Sequence, residues 1–115
     1  MSNGHKITIS QAGQHVEISL GGVKLAESDR ALLLSETGSR ARYYLPRADV
    51  RIEYLRPTAT KTTCPFKGEA SYWAVELDGV VHEDVVWSYE TPISAADDIA
   101  GLLCFYAERV DEQVS

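Results

Sequence analysis

The sequence predicts an all-β fold class, in full a β-rich α+β domain: a barrel-like or folded-over sheet packed on one C-terminal helix. Three observations predict it. Apolar and polar residues alternate in short runs from Ile7 to Tyr89, the period of half-buried strands. The turn pairs Gly21-Gly22 and Asp78-Gly79 separate such runs as hairpins do. Only one stretch, after Ser94, carries a helical period. With 115 residues, the chain makes a single domain over 1–115 with one core.

Taken in order, Ile7 and Ile9 alternate with polar neighbours and predict a strand over 6–11. Gly13 turns the chain, and Val16, Ile18 and Leu20 predict a second strand. The third follows Gly21-Gly22 over 23–27. Leu32, Leu33 and Leu34 in succession predict a strand over 31–36 that is buried on both faces. A short strand over 42–45 carries Tyr43 and Tyr44, and Pro46 starts one helical turn over 46–50. Extended structure resumes over 51–55, and Pro57 marks an edge strand or a strand end. Two strands then flank the turn Cys64-Pro65-Phe66-Lys67-Gly68. On the second of them Tyr72 and Trp73 face opposite sides. After Asp78-Gly79 come strands over 80–82 and 84–90, with Trp87 and Tyr89 on one face. Ser94 and Asp97 form a capping box. Ile99, Leu102, Leu103, Tyr106 and Val110 make the apolar stripe of a helix, and residues 111–115 form a frayed tail.

Charge narrows the function classes. A net charge of −6 excludes the basic footprint of a duplex nucleic-acid binder. No run of about 18 apolar residues spans a membrane. The first residues lack the apolar segment of a signal peptide, and a small secreted domain carries more than two cysteines, so a cytoplasmic protein is expected. His5, His15 and His82 are far apart in sequence and there is no C-x-x-C pair, so no metal site and no cofactor are expected. The basic residues are concentrated: Arg40, Arg42, Arg47, Arg51, Arg56, Lys61 and Lys67 are opposed between 40 and 67 only by Asp49 and Glu53. That segment carries +5 against −11 for the remainder.

The motifs Tyr43-Tyr44-Leu45-Pro46 with Asp49-Val50, Thr62-x-Cys64-Pro65-x-Lys67-Gly68-x-Ala70-x-Tyr72-Trp73, Val86-Trp87-Ser88-Tyr89 with Pro92, and Ile99-Ala100-Gly101 with Phe105-Tyr106 cover nearly the whole chain. In these motifs the chain resembles the domain of unknown function 427. The resemblance implies a β-tent fold similar to methionine sulfoxide reductase B domains, without their zinc cysteines. It also implies a largely bacterial family with no established activity, to which a nucleotidyltransferase label is sometimes attached.

Chemistry is densest around the Cys64–Gly68 turn. Lys67 can fix an anion, with the hydroxyl of Thr62 beside it, and Arg42 or Arg51 can add the bidentate fork that carboxylates and phosphates favour. Tyr72, Tyr43 and Trp87 are the aromatic candidates for covering such a ligand. Cys64 is the candidate nucleophile, since a neighbouring cation such as Lys67 raises a thiolate fraction, with His82 a conceivable base; its bland alternative is a buried structural thiol. Nucleotidyl transfer needs acidic residues converging on Mg²⁺, and Asp97-Asp98 are adjacent on a helix start. The leading expectation is therefore a module binding a small polar or anionic molecule beside this turn. The alternatives are thiol chemistry at Cys64, nucleotidyl transfer, and an interaction protein whose basic segment docks an acidic partner, including a second copy in a homodimer.

Overall fold

In the computed structural model, which describes residues 5–115, the alternating runs pair into two antiparallel sheets. The strands are β1 (Ile7–Gln11), β2 (Val16–Leu20), β3 (Val23–Ser28), β4 (Leu32–Glu36), β5 (Arg42–Leu45), β6 (Leu55–Cys64), β7 (Gly68–Leu77), β8 (Val80–Ser88), β9 (Leu103–Phe105) and β10 (Asp111–Val114). The large sheet has the order β1-β4-β5-β9-β8-β7-β6, and the small one β10-β2-β3. Among the described residues no helix is long and apolar enough to cross a membrane.

The hairpin signals act as their chemistry demands. Asp78 and Gly79 both take positive φ, 51° and 78°, the geometry of a two-residue turn matched to strand twist. β6 is an edge strand, and its pairing with β7 slips between Pro57 and Lys61 because proline gives the ladder no N–H. The two strands expected over 80–90 are one, β8, bent at Asp84. Asp84 has a φ of 52°, and its carboxylate accepts hydrogen bonds from Thr58 Oγ1 and Thr60 Oγ1, both at 2.9 Å, which hold this left-handed residue across the sheet. Residues 52–54 are a 3₁₀ turn rather than extended chain. Leu32 and Leu33 are only half-buried, so β4 is not closed on both faces.

The C-terminal helix is the main correction. Residues 94–99 form a kinked 3₁₀ turn, and the chain then takes a left-handed step at Gly101, with φ 74°, into β9. Leu103, Cys104 and Phe105 are all buried because β9 is an interior strand between β5 and β8. A short apolar run satisfies helical spacing and buried-strand composition equally, and here tertiary pairing decides. The expected frayed tail is β10, paired to β2 and joined at its end by two 2.9 Å backbone bonds between His15 and Ser115.

The large sheet buries different chemistry on its two faces. One face packs against the small sheet through aliphatic residues, among them Val16, Ile18, Leu25, Leu45, Val75, Val86 and Leu103, with Phe105. The other gathers Leu34, Tyr44, Trp87, Tyr89, Ile99 and Cys104. On this second side the sheet curls until its ends meet. His5 stacks on Phe66 with ring centroids 3.7 Å apart, and Lys67 of the β6–β7 turn pairs with Glu36 of β4. β4 and β7 are separated by three strands in the sheet order, so only a folded-over sheet brings these residues together.

Candidate functional site

Side chains two apart on a strand share a face, and that rule assembles the cavity inside the curl. β4 contributes Leu34 and Glu36. The chain entering β5 contributes Arg40, and β5 contributes Arg42 and Tyr44. Tyr72 comes from β7, Trp87 from β8 and Tyr89 from the position just beyond it, and Tyr106 follows directly after β9. Lys67 and Ser39 complete a lining around about 200 Å³.

Lys67 is placed by the turn. Its N–H donates to Cys64 O at 3.2 Å, and its carbonyl accepts from Ile93 N at 2.9 Å. The segment crossing here leaves no room at Gly68, where a Cβ would stand 3.3 Å from Ile93 N on a backbone with φ 116°. The Lys67 side chain is only 12% exposed and its ammonium pairs with Glu36, whose side chain is 10% exposed and also bonds His5 Nε2 at 3.1 Å. Arg42 holds Glu108 through two bonds of 2.7 and 3.1 Å, and its guanidinium lies 5.3 Å from the Trp87 ring centre and 5.4 Å from that of Tyr106. The pairing pulls the Glu108 carboxyl down to about 2, through the hydrogen bonds from Arg42. Trp87 Nε1 donates to Tyr44 Oη at 3.1 Å. Desolvation pushes the Tyr44 and Tyr89 phenols well above their ordinary range, so both remain protonated.

Of the residues singled out in the sequence, Lys67, Arg42, Tyr72 and Trp87 line this one cavity. Thr62 is exposed and stands behind it, its hydroxyl 3.0 Å from Tyr72 Oη. Cys64 is half-buried against the aromatic cluster and is not part of the lining. Its neighbour Lys67 is engaged by Glu36, and His82 sits opposite Val75, seven residues along β7 from the Gly68 that faces Cys64, roughly 20 Å away. Tyr43 does not belong with the cavity: strand alternation turns it to the opposite face, where its hydroxyl donates to Gln14 Oε1 at 3.1 Å. Arg51 does not either. It precedes the 52–54 turn, and its N–H bonds Leu25 O of the small sheet at 2.8 Å.

Sequence reasoning placed Tyr89 on the Trp87 face and left out Glu36, Arg40, Tyr44 and Tyr106. The signal for two of them was present, since Arg40, Arg42 and Tyr44 fall at i, i+2 and i+4. Glu36 had no local signal, because its partner is 31 residues away. The basic segment disperses: Arg47 pairs with Glu90, Arg56 with Glu76, and Arg40 and Arg42 with Glu108.

A separate cluster joins β2 and β3, where donor atoms of His15, Glu17 and Glu27 lie within 4.8 Å of one another. These groups are engaged among themselves. His15 bonds Asp29 at 2.6 Å and Glu27 at 2.8 Å, and Lys24 Nζ lies 2.8 Å from Glu27 and 3.5 Å from Glu17. The Lys24 ammonium thus already pairs with both carboxylates of the cluster.

No curated protein matches the sequence. The family described as "Domain of unknown function (DUF427)" matches residues 8–115, which takes in every strand of both sheets except the first residue of β1. A match over essentially the whole chain places this protein in that family, and the chain belongs to DUF427.

Proposed function

We propose that the protein binds a small polar or anionic molecule in the cavity between the Lys67 turn and the Trp87 face. One observation carries this reading: cations and aromatic rings from five separate segments converge on one opening, although the protein as a whole is acidic. Lys67 and Arg42 are both oriented by carboxylates outside any ligand, Glu36 and Glu108, so their position is established before binding. The setting that accompanies this reading is cytoplasmic, and both cysteines are free thiols.

A thermal-shift panel of carboxylates, phosphates and nucleotides tests it. A ligand at one hundred times its Kd stabilises the folded state by about 2.7 kcal/mol, a rise of several degrees in Tm for a chain of this length. The expected result is a rise for at least one anion that Lys67→Ala and Arg42→Gln each diminish. A shift of equal size in both variants places binding elsewhere.

A further inference from the structure

The cavity's hydrogen-bonding inventory is one-sided. Tyr89 is 7% exposed, lines the cavity, and its hydroxyl has no hydrogen-bond partner among the described residues. Tyr44 is 1% exposed; its oxygen accepts from Trp87, which leaves its own proton without an acceptor among the described residues. Lys67 keeps ammonium hydrogens beyond the one given to Glu36, and Arg42 keeps guanidinium hydrogens beyond the two given to Glu108. The lining's one carboxylate, Glu36, already receives Lys67 and bonds His5. These donors open onto the cavity and outnumber its free acceptors, so the molecule that completes this site supplies acceptors.

Charge, shape and size limit it further. Arg40, Arg42 and Lys67 stand against Glu36 and Glu108, with Glu112 also within electrostatic reach of Arg40 and Arg42, so the cations are largely offset and the site suits a monoanion better than a dianion. The walls are aromatic: Trp87 meets Tyr106 edge-on at 5.0 Å and lies tilted at 6.4 Å from Tyr72, with the Arg42 guanidinium over the Trp87 and Tyr106 rings. A space of about 200 Å³ is smaller than the ~300–1,000 Å³ of pockets for drug-sized ligands.

Resting on the reading of this cavity as an anion site, we propose that its ligand class is a planar aromatic or conjugated monocarboxylate of about one ring. The carboxylate takes hydrogen bonds from the Tyr44 and Tyr89 hydroxyls and from Lys67, and the flat body lies against Trp87 and Tyr72. Two neutral donors and cations already largely offset by carboxylates match a monoanionic carboxylate better than a dianionic phosphate, whose second charge finds no counterpart.

Calorimetric titration of the full chain at pH 7 with benzoate, 2-furoate, nicotinate, benzamide and inorganic phosphate tests the class. At least one of the three ring carboxylates is expected to bind, with benzamide and phosphate each weaker by tenfold or more. Tyr89→Phe keeps the ring and removes only the unpartnered hydroxyl. It is expected to weaken the carboxylate by roughly 10- to 100-fold, the worth of a hydrogen bond to a charged group, with little change in Tm. If phosphate binds tighter than every carboxylate and Lys67→Ala abolishes it, the carboxylate class is wrong and the anion site stands. If benzamide matches benzoate, charge is not read and the class is overturned. If none of the five binds, the class falls. If carboxylates bind and neither Tyr89→Phe nor Lys67→Ala weakens them, both the class and the site fall.

Discussion

The two faces of the large sheet are made from the same strands yet differ in kind. The face against the small sheet is aliphatic and closed: Val16, Ile18, Leu25, Val75, Val86 and Leu103 are buried with no polar atom to satisfy. The opposite face has no second sheet over it. It closes by curling, and its buried residues are polar-tipped aromatics, Tyr44, Trp87 and Tyr89, beside the Lys67–Glu36 and Arg42–Glu108 pairs. A sheet packed on a sheet expels water by area alone. A sheet folded on itself leaves a gap, and a gap is tolerated where hydroxyls, ammonium and guanidinium can be solvated or met by a ligand. Stability therefore concentrates on the first face and chemistry on the second.

The largest effect expected from breaking this contrast is Phe105→Ala. Phe105 is fully buried on the aliphatic side, and its loss leaves a cavity that costs about 3–5 kcal/mol in denaturant unfolding. Next comes Lys67→Ala, which leaves the Glu36 carboxylate nearly buried with only His5 as partner. A loss of about 1.5–3 kcal/mol is expected, the range for hydrogen bonds to charged groups, and Glu36→Gln in the same background should recover part of it. Tyr44→Phe orphans the buried Trp87 N–H and should cost about 1–3 kcal/mol, with a change in tryptophan fluorescence. An equal cost for Phe105→Ala and Tyr89→Phe in the same assay would erase the distinction between the faces.

The smallest effect is electrostatic. His15 is raised from its ordinary value of 6.5, first by its bond to Asp29 and then by that to Glu27. A raised histidine contributes stability that is fully present below its unfolded pKa and lost as pH rises through its folded one. Tm should therefore decline as pH increases from about 6.5, and His15→Gln should flatten that slope. The exposure of these groups keeps the effect small. Hydrogen exchange in β10, which is tied to His15 through Ser115, should quicken over the same window.

Much of the fold was legible in local pattern. Strand positions from Ile7 to Ser88 follow alternation and turn pairs, because a half-buried strand writes its two faces into consecutive residues. Residues 94–115 were not legible in this way. Ile99, Leu102, Leu103 and Tyr106 match a helical stripe, and only pairing with Tyr44 and Trp87 selects a strand for 103–105. The site divides along the same line. Lys67, Arg42, Tyr72 and Trp87 were visible as residue types suited to holding an anion, and alternation separates Tyr72 from Trp73. That Tyr43 faces away while Tyr44 faces in depends on which side of β5 the curl encloses.

By itself the sequence determined the strand-rich class, the hairpin at Asp78-Gly79, the edge character of β6 and the chemical richness of the 64–68 turn. Those properties reside in neighbouring residues, where sterics and period suffice. Only the tertiary structure decided that β4 meets the β6–β7 turn, that Glu36 rather than Cys64 takes the Lys67 ammonium, and that Arg40, Arg42, Arg47, Arg56 and Lys67 of the +5 segment meet acids from elsewhere. Those properties depend on how far a twisted seven-stranded sheet curls before its ends touch. That angle is set by the packing of whole faces, which no short stretch of sequence encodes.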